Sequence, residues 1–351
     1  MTSKLTRRDF LKFGGLSAAS LAFSPLVPAS LGGFDDSDVV RIATNSVSVY
    51  KEPSDKSIIT GTWYRDDLVH IYGQVTAEEP TYNPVWYRVW GGYMHRARLQ
   101  RVKILYNLPL DFIPEGERRL VDVSVPFTQP YRYTKTYGWQ VLKPRLYYGS
   151  VHWVDQIVDG PDGTPYYRIF DELTGSYFAP AVHLRPIPHE EITPISPDLA
   201  WEDKHIEVNL TTQVLTAYEK GSTVFQTNIA SGLPNARRNP KEISTKTPEG
   251  KFNIQEKMPA KHMGNGNLLA DADGYELPGV PWTCFFTDVG HAFHGTYWHE
   301  NFGSPMSHGC INMRTEEARW IFRWATPVHV AQELNTEYYF RGYGTTVEIH
   351  Y

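Results

Sequence analysis

Short stretches in which hydrophobic and polar residues alternate dominate the chain between residues 39 and 188. Residues 47–49 and 86–90 alternate with a period of two, the pattern of a β-strand that buries one face. Clusters of Pro, Gly and Asn separate such stretches and indicate turns. The pattern therefore predicts an all-β organisation for this part of the chain.

A faint internal repeat divides this part into two. Three stretches of the first copy recur in outline in the second: 69–72, 86–89 and 93–99 return as 151–154, 166–169 and 177–184. We predict two small β-barrels, similar to bacterial SH3-like modules, at residues 39–110 and 117–188. A single irregular all-β domain of about 150 residues is the alternative.

A cluster of prolines separates this part from a second pattern. Four prolines lie between residues 186 and 197 among acidic residues, and we predict a linker over residues 189–203. After the linker, alternation again predicts strands: 205–210, 213–218, 224–230, 252–255, 283–286, 328–330 and 347–349.

One helix interrupts the second pattern. It begins at Thr315, which we take as the N-cap, and ends before Pro327. Its apolar face has the spacing i, i+3, i+4, i+7 and consists of Ala318, Ile321, Phe322 and Ala325. The chain is thus predicted to be mainly β with one principal helix, in a domain at residues 204–334 that is followed by a strand extension at residues 335–351.

Residues 1–30 have the layout of an export signal. A basic start precedes a modest apolar stretch at residues 13–27 and small residues near Ala29, where we predict cleavage. Residues 6–12, which include Arg7 and Arg8, resemble the twin-arginine export signal. We expect export to the periplasm or cell wall. An ordinary secretory signal, or an uncleaved signal that tethers the protein to the membrane, is the alternative.

Charge and cysteine content exclude several classes of protein. Lys and Arg number 34 against 39 Asp and Glu, a net charge of −5, which would become −8 without residues 1–30. This balance argues against nucleic acid as a partner. Two cysteines are too few for a disulfide-rich scaffold or a four-cysteine zinc site.

The most unusual segment, residues 291–313, contains four of the 13 histidines and one of the two cysteines. Cys310 is a candidate nucleophile, because a thiol needs a nearby base and either His294 or His308 can supply it. The backbone amides of residues 308–310 are placed to hold an oxyanion.

Two different interpretations of this segment remain. A metal site would use His291, His294, His299 and Cys310, but their spacing is loose and not helical, so we predict no metal or other cofactor. A purely structural cluster is hard to reconcile with the glycines among these residues. The second cysteine, Cys284, lies in an apolar strand and is predicted to pack as a small hydrophobic residue, with both thiols free.

Two motifs resemble those of the L,D-transpeptidases with the YkuD-type catalytic domain. The first combines residues 294–296 (His-Gly-Thr) and Gly303 with residues 307–313 (Ser-His-Gly-Cys-Ile-Asn-Met). The second is residues 247–252 (Thr-Pro-Glu-Gly-Lys-Phe), similar to the start of a strand in the family. The resemblance covers residues 204–330 and implies a β-rich transpeptidase domain.

The resemblance implies a catalytic role for three residues. Cys310 would be the nucleophile, and His294 its general base and later its acid. The backbone carbonyl of Gly295 would orient the imidazole, a task that a carboxylate performs in other triads.

It also implies how the surrounding loop works. Ser307 and His308 would shape the loop, and the amides of His308, Gly309 and Cys310 would form the oxyanion hole. Asn312 stands where many relatives have Arg, so Arg314 is a second candidate for holding the charged groups of the substrate.

The implied partners are the stem peptides of peptidoglycan. Cys310 would attack the third residue of a donor tetrapeptide and expel the terminal D-alanine, and the amine of an acceptor diamino acid would resolve the thioester into a 3→3 cross-link. Hydrolysis of the thioester would instead make the protein an L,D-carboxypeptidase. A non-catalytic wall-binding protein is a third possibility, and a Cys-His endopeptidase, in which the cysteine would precede the histidine, is a fourth. We expect a monomer.

Residues 257–282 carry few strand signals, so we predict a lid over the cleft. Five residues are predicted to contact the substrate: Met263, Tyr275, Trp282, Tyr297 and Trp298. For Trp282, packing in the core is the alternative.

Overall fold

Strands are the main regular element of the structure, a computed structural model that describes residues 38–233, 245–264, 276–329 and 344–351. The described residues form 26 strands and one α-helix, α1 (Thr315–Trp324). The predicted mainly β fold with one principal helix is therefore confirmed. Residues 1–30, with the predicted export signal, lie outside the described residues. No helix within the described ranges is long and apolar enough to cross a membrane.

The first part of the chain contains two sheets around one small core. Its strands are β1 (Val39–Ile42), β2 (Ser46–Tyr50), β3 (Ile59–Tyr64), β4 (Leu68–His70), β5 (Gly73–Thr76), β6 (Val85–Val89), β7 (Gly92–His95) and β8 (Leu99–Val102). They pair in the orders β4-β1-β8 and β3-β2-β7-β6-β5. The core contains Val89 from the predicted alternating stretch at residues 86–90, together with Val40 of β1 and Met94 of β7.

The second part is dominated by a seven-stranded sheet. Its strands are β9 (Arg119–Val123), β10 (Phe127–Thr128), β11 (Tyr131–Thr134), β12 (Gly138–Val141), β13 (Leu146–Tyr147), β14 (Val151–Asp159), β15 (Pro165–Asp171), β16 (Gly175–Pro180) and β17 (Leu184–Pro186). The order is β12-β11-β16-β15-β14-β9-β17, and β10 pairs with β13.

The internal repeat has a counterpart in the order of elements. In the first part, β6 and β7 are followed by a 3₁₀ turn at Arg96–Arg98 and then by β8. In the second part, β15 and β16 are followed by a 3₁₀ turn at Ala181–His183 and then by β17. The SH3-like barrels and the boundaries of the modules stay predictions.

The last part places two sheets around one core with α1. Its strands are β18 (Lys204–Asn209), β19 (Val214–Glu219), β20 (Ser222–Asn228), β21 (Gly250–Asn253), β22 (Glu256–Met263), β23 (Leu277–Phe285), β24 (Ala292–Gly295), β25 (Ile311–Met313) and β26 (Thr346–His350). The orders are β20-β19-β18-β26-β21 and β22-β23-β24-β25. Buried residues of both sheets and of α1, such as Val208, Phe293 and Phe322, belong to one apolar cluster.

The prediction of a lid at residues 257–282 is wrong for the described residues of that segment. Residues 257–263 belong to β22 and residues 277–282 to β23, and the two strands pair antiparallel. The sequence hides these strands because consecutive residues of β22, Lys257, Met258 and Pro259, are all buried, so that no alternation appears. Tertiary pairing therefore overrides the weak local signal.

Two smaller predictions are also corrected. The N-cap of α1 is Arg314 rather than Thr315, because the backbone N–H of Arg314 donates to Glu317 at 3.2 Å and Thr315 is already helical. Val328 and His329 form no strand. The segment resembles a strand in sequence because it packs against the protein. His329 is buried, and its ring lies 2.6 Å from the carbonyl oxygen of Ile192. Val330 lies outside the described residues.

The segment predicted as a linker packs on this core. Ile192 is buried in the apolar cluster, and the N–H of Ile195 donates to the carbonyl of Arg323 in α1. Glu191 pairs with Arg185 and with Arg319. The prolines thus end regular structure here without leaving the segment as a free spacer.

Two buried lysines satisfy the carbonyl groups at the end of α1. The ammonium of Lys257 donates to the carbonyls of Phe322 and Ala325, each at 2.7 Å. Lys204 donates to Trp324 at 2.7 Å. A cation near a helix C-terminus is favourable, but burial lowers the pKa of Lys257 to about 7.

We expect Lys257→Met to lower the free energy of unfolding by about 2 kcal/mol at pH 7, because it leaves two buried carbonyls without a donor. The wild type should gain stability from pH 7 to pH 10, since the unfolded state then binds more protons than the folded one. The variant should lack the part of this gain that Lys257 supplies. Urea unfolding at pH 7 and at pH 10 measures this gain in the free energy of unfolding. The variant Lys251→Met, at an exposed lysine, is the control. Equal pH dependence in all three proteins would contradict the assignment.

Candidate active site

Two neighbouring parallel strands bring the predicted catalytic residues together. In the pairing of β24 with β25, His294 lies opposite Asn312. Cys310 is the residue directly before β25, and its sulfur lies 3.7 Å from the carbonyl oxygen of Gly290, two residues before β24. The start of β25 therefore brings Cys310 beside the strand that carries His294.

The imidazole of His294 is buried and held by its own strand. Its Nδ1 lies 2.9 Å from the carbonyl oxygen of Gly295. Because a carbonyl only accepts, Nδ1 carries the proton and Nε2 has a free lone pair. Burial lowers the pKa of His294 to about 4, so the ring is neutral at pH 7. A neutral imidazole with an open Nε2 is a competent proton acceptor.

Gly295 is required by the packing around this histidine. A Cβ on Gly295 would lie 2.7 Å from the side chain of Pro281 in β23 and 3.1 Å from the Cα of Thr315 in α1. The strand can approach the helix this closely only without a side chain.

Cys310 is partly exposed and carries a protonated thiol. Burial of the sulfur raises its pKa to about 11, well above pH 7. The thiol donates to the backbone carbonyl of Gly290 at 3.7 Å. Since a carbonyl cannot take the proton away, formation of a thiolate needs a separate base, and His294 on the neighbouring strand β24 is the candidate. Both cysteines are free thiols, as predicted, and Cys284 is fully buried in β23.

The loop before Cys310 is held by Ser307. Its hydroxyl donates to the carbonyl of Cys310 and accepts from the N–H of Gly309 at 3.1 Å. Gly309 has φ +119°, a conformation that other residues rarely adopt. Ser307 therefore closes a tight turn, while the side chain of His308 is exposed.

One part of the predicted oxyanion hole needs correction. The N–H of Gly309 is satisfied within the turn by Ser307, so it is not aimed at the substrate. The amide of Cys310 stays a candidate donor.

Thr247 braces this turn, a role that the sequence did not reveal. Its hydroxyl accepts from the N–H of Gly232 at 2.8 Å and donates to the carbonyl of Gly309 at 2.9 Å. A Cβ on Gly232 would lie 2.8 Å from the Cα of Gly309, so the two backbones are in close contact. The Thr-Pro motif marked this position, but only as the start of a strand.

We expect Thr247→Val to lower turnover about tenfold or more and to destabilise the fold by about 1–3 kcal/mol, because it leaves buried backbone groups of Gly232 and Gly309 unpaired. Thr247→Ser should retain both properties, since it keeps the hydroxyl. Steady-state kinetics and urea unfolding check this. Equal activity of the Val and Ser variants would contradict the brace.

Asn312 and Arg314 were predicted to bind substrate, and the structure gives both different contacts. Asn312 is buried, and its Nδ2 lies 2.9 Å from Nε2 of His299. Arg314 pairs with Glu317 at 3.0 Å and lies over the ring of Phe302. The Asn312 prediction is wrong, because the side chain faces His299 in the interior. Arg314 still lines a cavity of about 440 Å³ beside Thr296.

The predicted aromatic contacts divide into core and cleft. Trp282 is buried against Phe322 of α1, with ring centroids 5.3 Å apart, so its assignment to the substrate is wrong. Tyr297 is buried and donates its hydroxyl to the carbonyl of Pro278 at 3.0 Å. Trp298 is partly exposed and lies against His294, with centroids 5.7 Å apart. It is therefore the aromatic residue best placed beside the reacting groups.

Two predicted contact residues remain, Met263 and Tyr275. Met263 ends β22 opposite Leu277. Tyr275 lies outside the described residues. Within the described ranges, no group of three or more His, Cys, Asp and Glu side chains is arranged to hold a metal ion.

One family model matches the part of the chain that contains the site. It is the model of the L,D-transpeptidase catalytic domain, YkuD, and it matches residues 203–349, less than half of the chain. That stretch contains β18 to β25, most of β26, α1 and both His294 and Cys310. The C-terminal part of the chain is therefore similar to this catalytic domain, in agreement with the resemblance of the sequence motifs.

Solved structures of L,D-transpeptidases are similar to parts of this chain at low identity. An L,D-transpeptidase from Xylanimonas cellulosilytica is 23% identical over 42% of this chain and 60% of its own, with a TM-score of 0.31. The catalytic domain of the Enterococcus faecium L,D-transpeptidase is 24% identical over 42% and 98%, with a TM-score of 0.29. An L,D-transpeptidase from Mycobacterium smegmatis is 15% identical over 76% and 90%, with a TM-score of 0.31.

These likenesses are too distant to carry an argument about activity. This chain spans between about half and 60% of the length of the first structures that it matches. A search of the curated proteins found no match.

Proposed function

We propose that this protein is a peptidoglycan L,D-transpeptidase that forms 3→3 cross-links through a thioester on Cys310. The observation that carries the proposal is the position of His294 on β24, with its Nδ1 2.9 Å from the carbonyl oxygen of Gly295, beside the paired strand β25 that Cys310 directly precedes. This contact is the one that the resemblance to the family implies. It leaves Nε2 as the only ring nitrogen able to accept a proton.

The first step would transfer the thiol proton to His294 while sulfur attacks the carbonyl of the third residue of a stem tetrapeptide. The C–N bond to the terminal D-alanine breaks, and the leaving amine takes the proton back from His294. The thioester then reacts with the amine of an acceptor diamino acid, which forms the new amide and releases the thiol. Each half-reaction balances without a cofactor.

The protonation states support this sequence. The pKa of Cys310 is raised to about 11 and that of His294 is lowered to about 4, both by burial. The resting pair is therefore neutral, and no thiolate–imidazolium ion pair is stored before the substrate binds. Proton transfer has to accompany attack, as in general-base catalysis.

Hydrolysis of the same thioester would make the protein an L,D-carboxypeptidase. Mass spectrometry of the products from a disaccharide-tetrapeptide separates the two activities. Dimers that lack one D-alanine support the transpeptidase, and monomers shortened by one D-alanine support the carboxypeptidase. Absence of both products would refute the proposal.

Export completes the proposal, because peptidoglycan lies outside the cytoplasm. Its support is the twin-arginine-like stretch at residues 6–12 and the apolar stretch that follows it. Replacement of Arg7 and Arg8 by lysine should retain the protein in the cytoplasm, which fractionation of cells would measure.

A further inference from the structure

A second feature next to the catalytic residues is a cavity that the catalytic domain does not form alone. It has a volume of about 430 Å³ and lies where three parts of the chain meet. Arg41 and Arg65 come from the first part, Lys143 and Arg145 from the second, and Tyr297 and Trp298 from the loop after Gly295. We call it the basic cavity.

The cavity has an excess of positive charge in an acidic protein. Its lining includes four cationic side chains and two carboxylates, those of Asp66 and Glu276, whereas the whole chain has a net charge of −5. Both carboxylates are already bonded. Asp66 accepts from Arg41 at 2.9 Å and from Arg145 at 2.8 Å, and Glu276 lies 2.6 Å from Nε2 of His262.

These bonds hold the floor of the basic cavity together, and two further cations lie at its rim. Arg41 is 2% exposed and also donates to the carbonyl of Tyr297 at 3.1 Å, which ties the first part of the chain to the catalytic loop. Arg65 and Lys143 are exposed. The positive charge that an incoming ligand meets therefore comes mainly from Arg65 and Lys143, with Arg145 behind them.

One side chain, that of Trp298, is shared between the lining of the basic cavity and the surroundings of His294. Trp298 lines the cavity and also lies against His294 with ring centroids 5.7 Å apart. Tyr297 stacks with Tyr147 of the second part at 6.1 Å. A ligand in the cavity would thus lie one aromatic ring away from the general base.

We propose that the basic cavity is a substrate subsite that binds carboxylate groups of a stem peptide, so that the two N-terminal parts of the chain take part in substrate recognition. This inference rests on the proposed function. Arg and Lys side chains are suited to carboxylates, and a concave site of this size suits a short peptide better than an extended anionic polymer, which needs a continuous basic stripe.

The test measures binding to the Cys310→Ala protein, in which the substrate stays intact, by isothermal titration calorimetry. The probes are a stem tetrapeptide and the same peptide with its carboxylates amidated. Arg65→Gln with Lys143→Gln removes two charges from the rim and leaves the Arg41–Asp66–Arg145 contacts in place. Lys51→Gln with Lys135→Gln removes two exposed charges from the same two parts of the chain, outside the cavity lining.

We expect the rim pair to weaken binding of the free-acid peptide about tenfold and to leave binding of the amidated peptide unchanged. The control pair should change neither. Equal weakening of binding by the rim pair and the control pair would indicate a general effect of the protein's positive charge and would overturn the subsite. Equal binding of the free-acid and amidated peptides to the protein with its rim intact would also overturn it. A soluble anionic polymer that binds through the rim pair while the peptide does not would also overturn it.

The subsite and the proposed function can fail separately. The wild type could turn over the tetrapeptide while the rim pair of substitutions leaves peptide binding unchanged. That result would refute the subsite and leave the proposed transpeptidase activity in place. Binding that depends on the rim pair without any turnover would support the subsite and refute the proposed chemistry.

Discussion

Cys310→Ala should lower the rate of tetrapeptide turnover at least about 10³-fold, because no other nucleophile replaces the sulfur. The fold should be unaffected, since Cys310 is only partly buried and its thiol makes only weak hydrogen bonds, to the backbone of Gly290 and of Ala292. Turnover is followed by mass spectrometry of the released D-alanine, and folding by the thermal midpoint.

The chain offers a matched control for this variant. Cys284 is the other thiol, fully buried in β23, and burial raises its pKa to about 12. Cys284→Ala should keep the activity within about twofold while it destabilises the fold by about 1 kcal/mol. Activity that survives Cys310→Ala, or that is lost in Cys284→Ala without unfolding, would contradict the assignment of the nucleophile.

His294→Gln should lower kcat/KM at pH 7 by about 10²–10⁴-fold and change the shape of the pH profile. With a pKa near 4, His294 is already neutral at pH 5, so wild-type activity should be nearly constant from pH 5 to pH 9. Without the base, the reaction depends on the small fraction of thiolate. Because the pKa of Cys310 is about 11, that fraction rises tenfold for each pH unit in this range.

The pH profile therefore separates catalysis from a structural role. A variant that is merely misfolded would lose activity by the same factor at every pH. The expected result is a deficit that shrinks about 100-fold between pH 7 and pH 9. A variant with the flat profile of the wild type would show that His294 is not the base.

The residues of the catalytic pair could be predicted because their chemistry is local in sequence. The segment at residues 291–313 combines a thiol, histidines and turn-forming glycines, and its motifs resemble one family. Strand β18 could also be predicted, since alternation survives where one face of a strand is buried and the other partly exposed.

Prediction from the sequence failed where the burial of a residue depends on partners that are distant in the chain. Strand β22 and the first part of β23 were missed because consecutive residues in them are buried, so no alternation marks them. Trp282 was assigned partly to the cleft, because aromatic residues serve equally in cores and in binding sites. Only the packing of α1 against β23 decides between the two.

The basic cavity was beyond sequence reasoning for a similar reason. Arg41, Lys143 and Tyr297 are separated by more than 100 residues from one another, and nothing local distinguishes these cations from those on an ordinary surface. The acidic net charge even argued against a polyanionic partner such as nucleic acid. Local charge differs from the total because folding gathers positive side chains from two parts of the chain.

The most direct test of the proposed mechanism is the intact mass of the protein after brief incubation with a stem tetrapeptide. We expect an adduct with the mass of the tetrapeptide minus D-alanine, located on Cys310 by digestion, released by hydroxylamine as a thioester and absent from Cys310→Ala. Product formation without this adduct on a rapid-quench timescale, or an adduct on any residue other than Cys310, would contradict that mechanism.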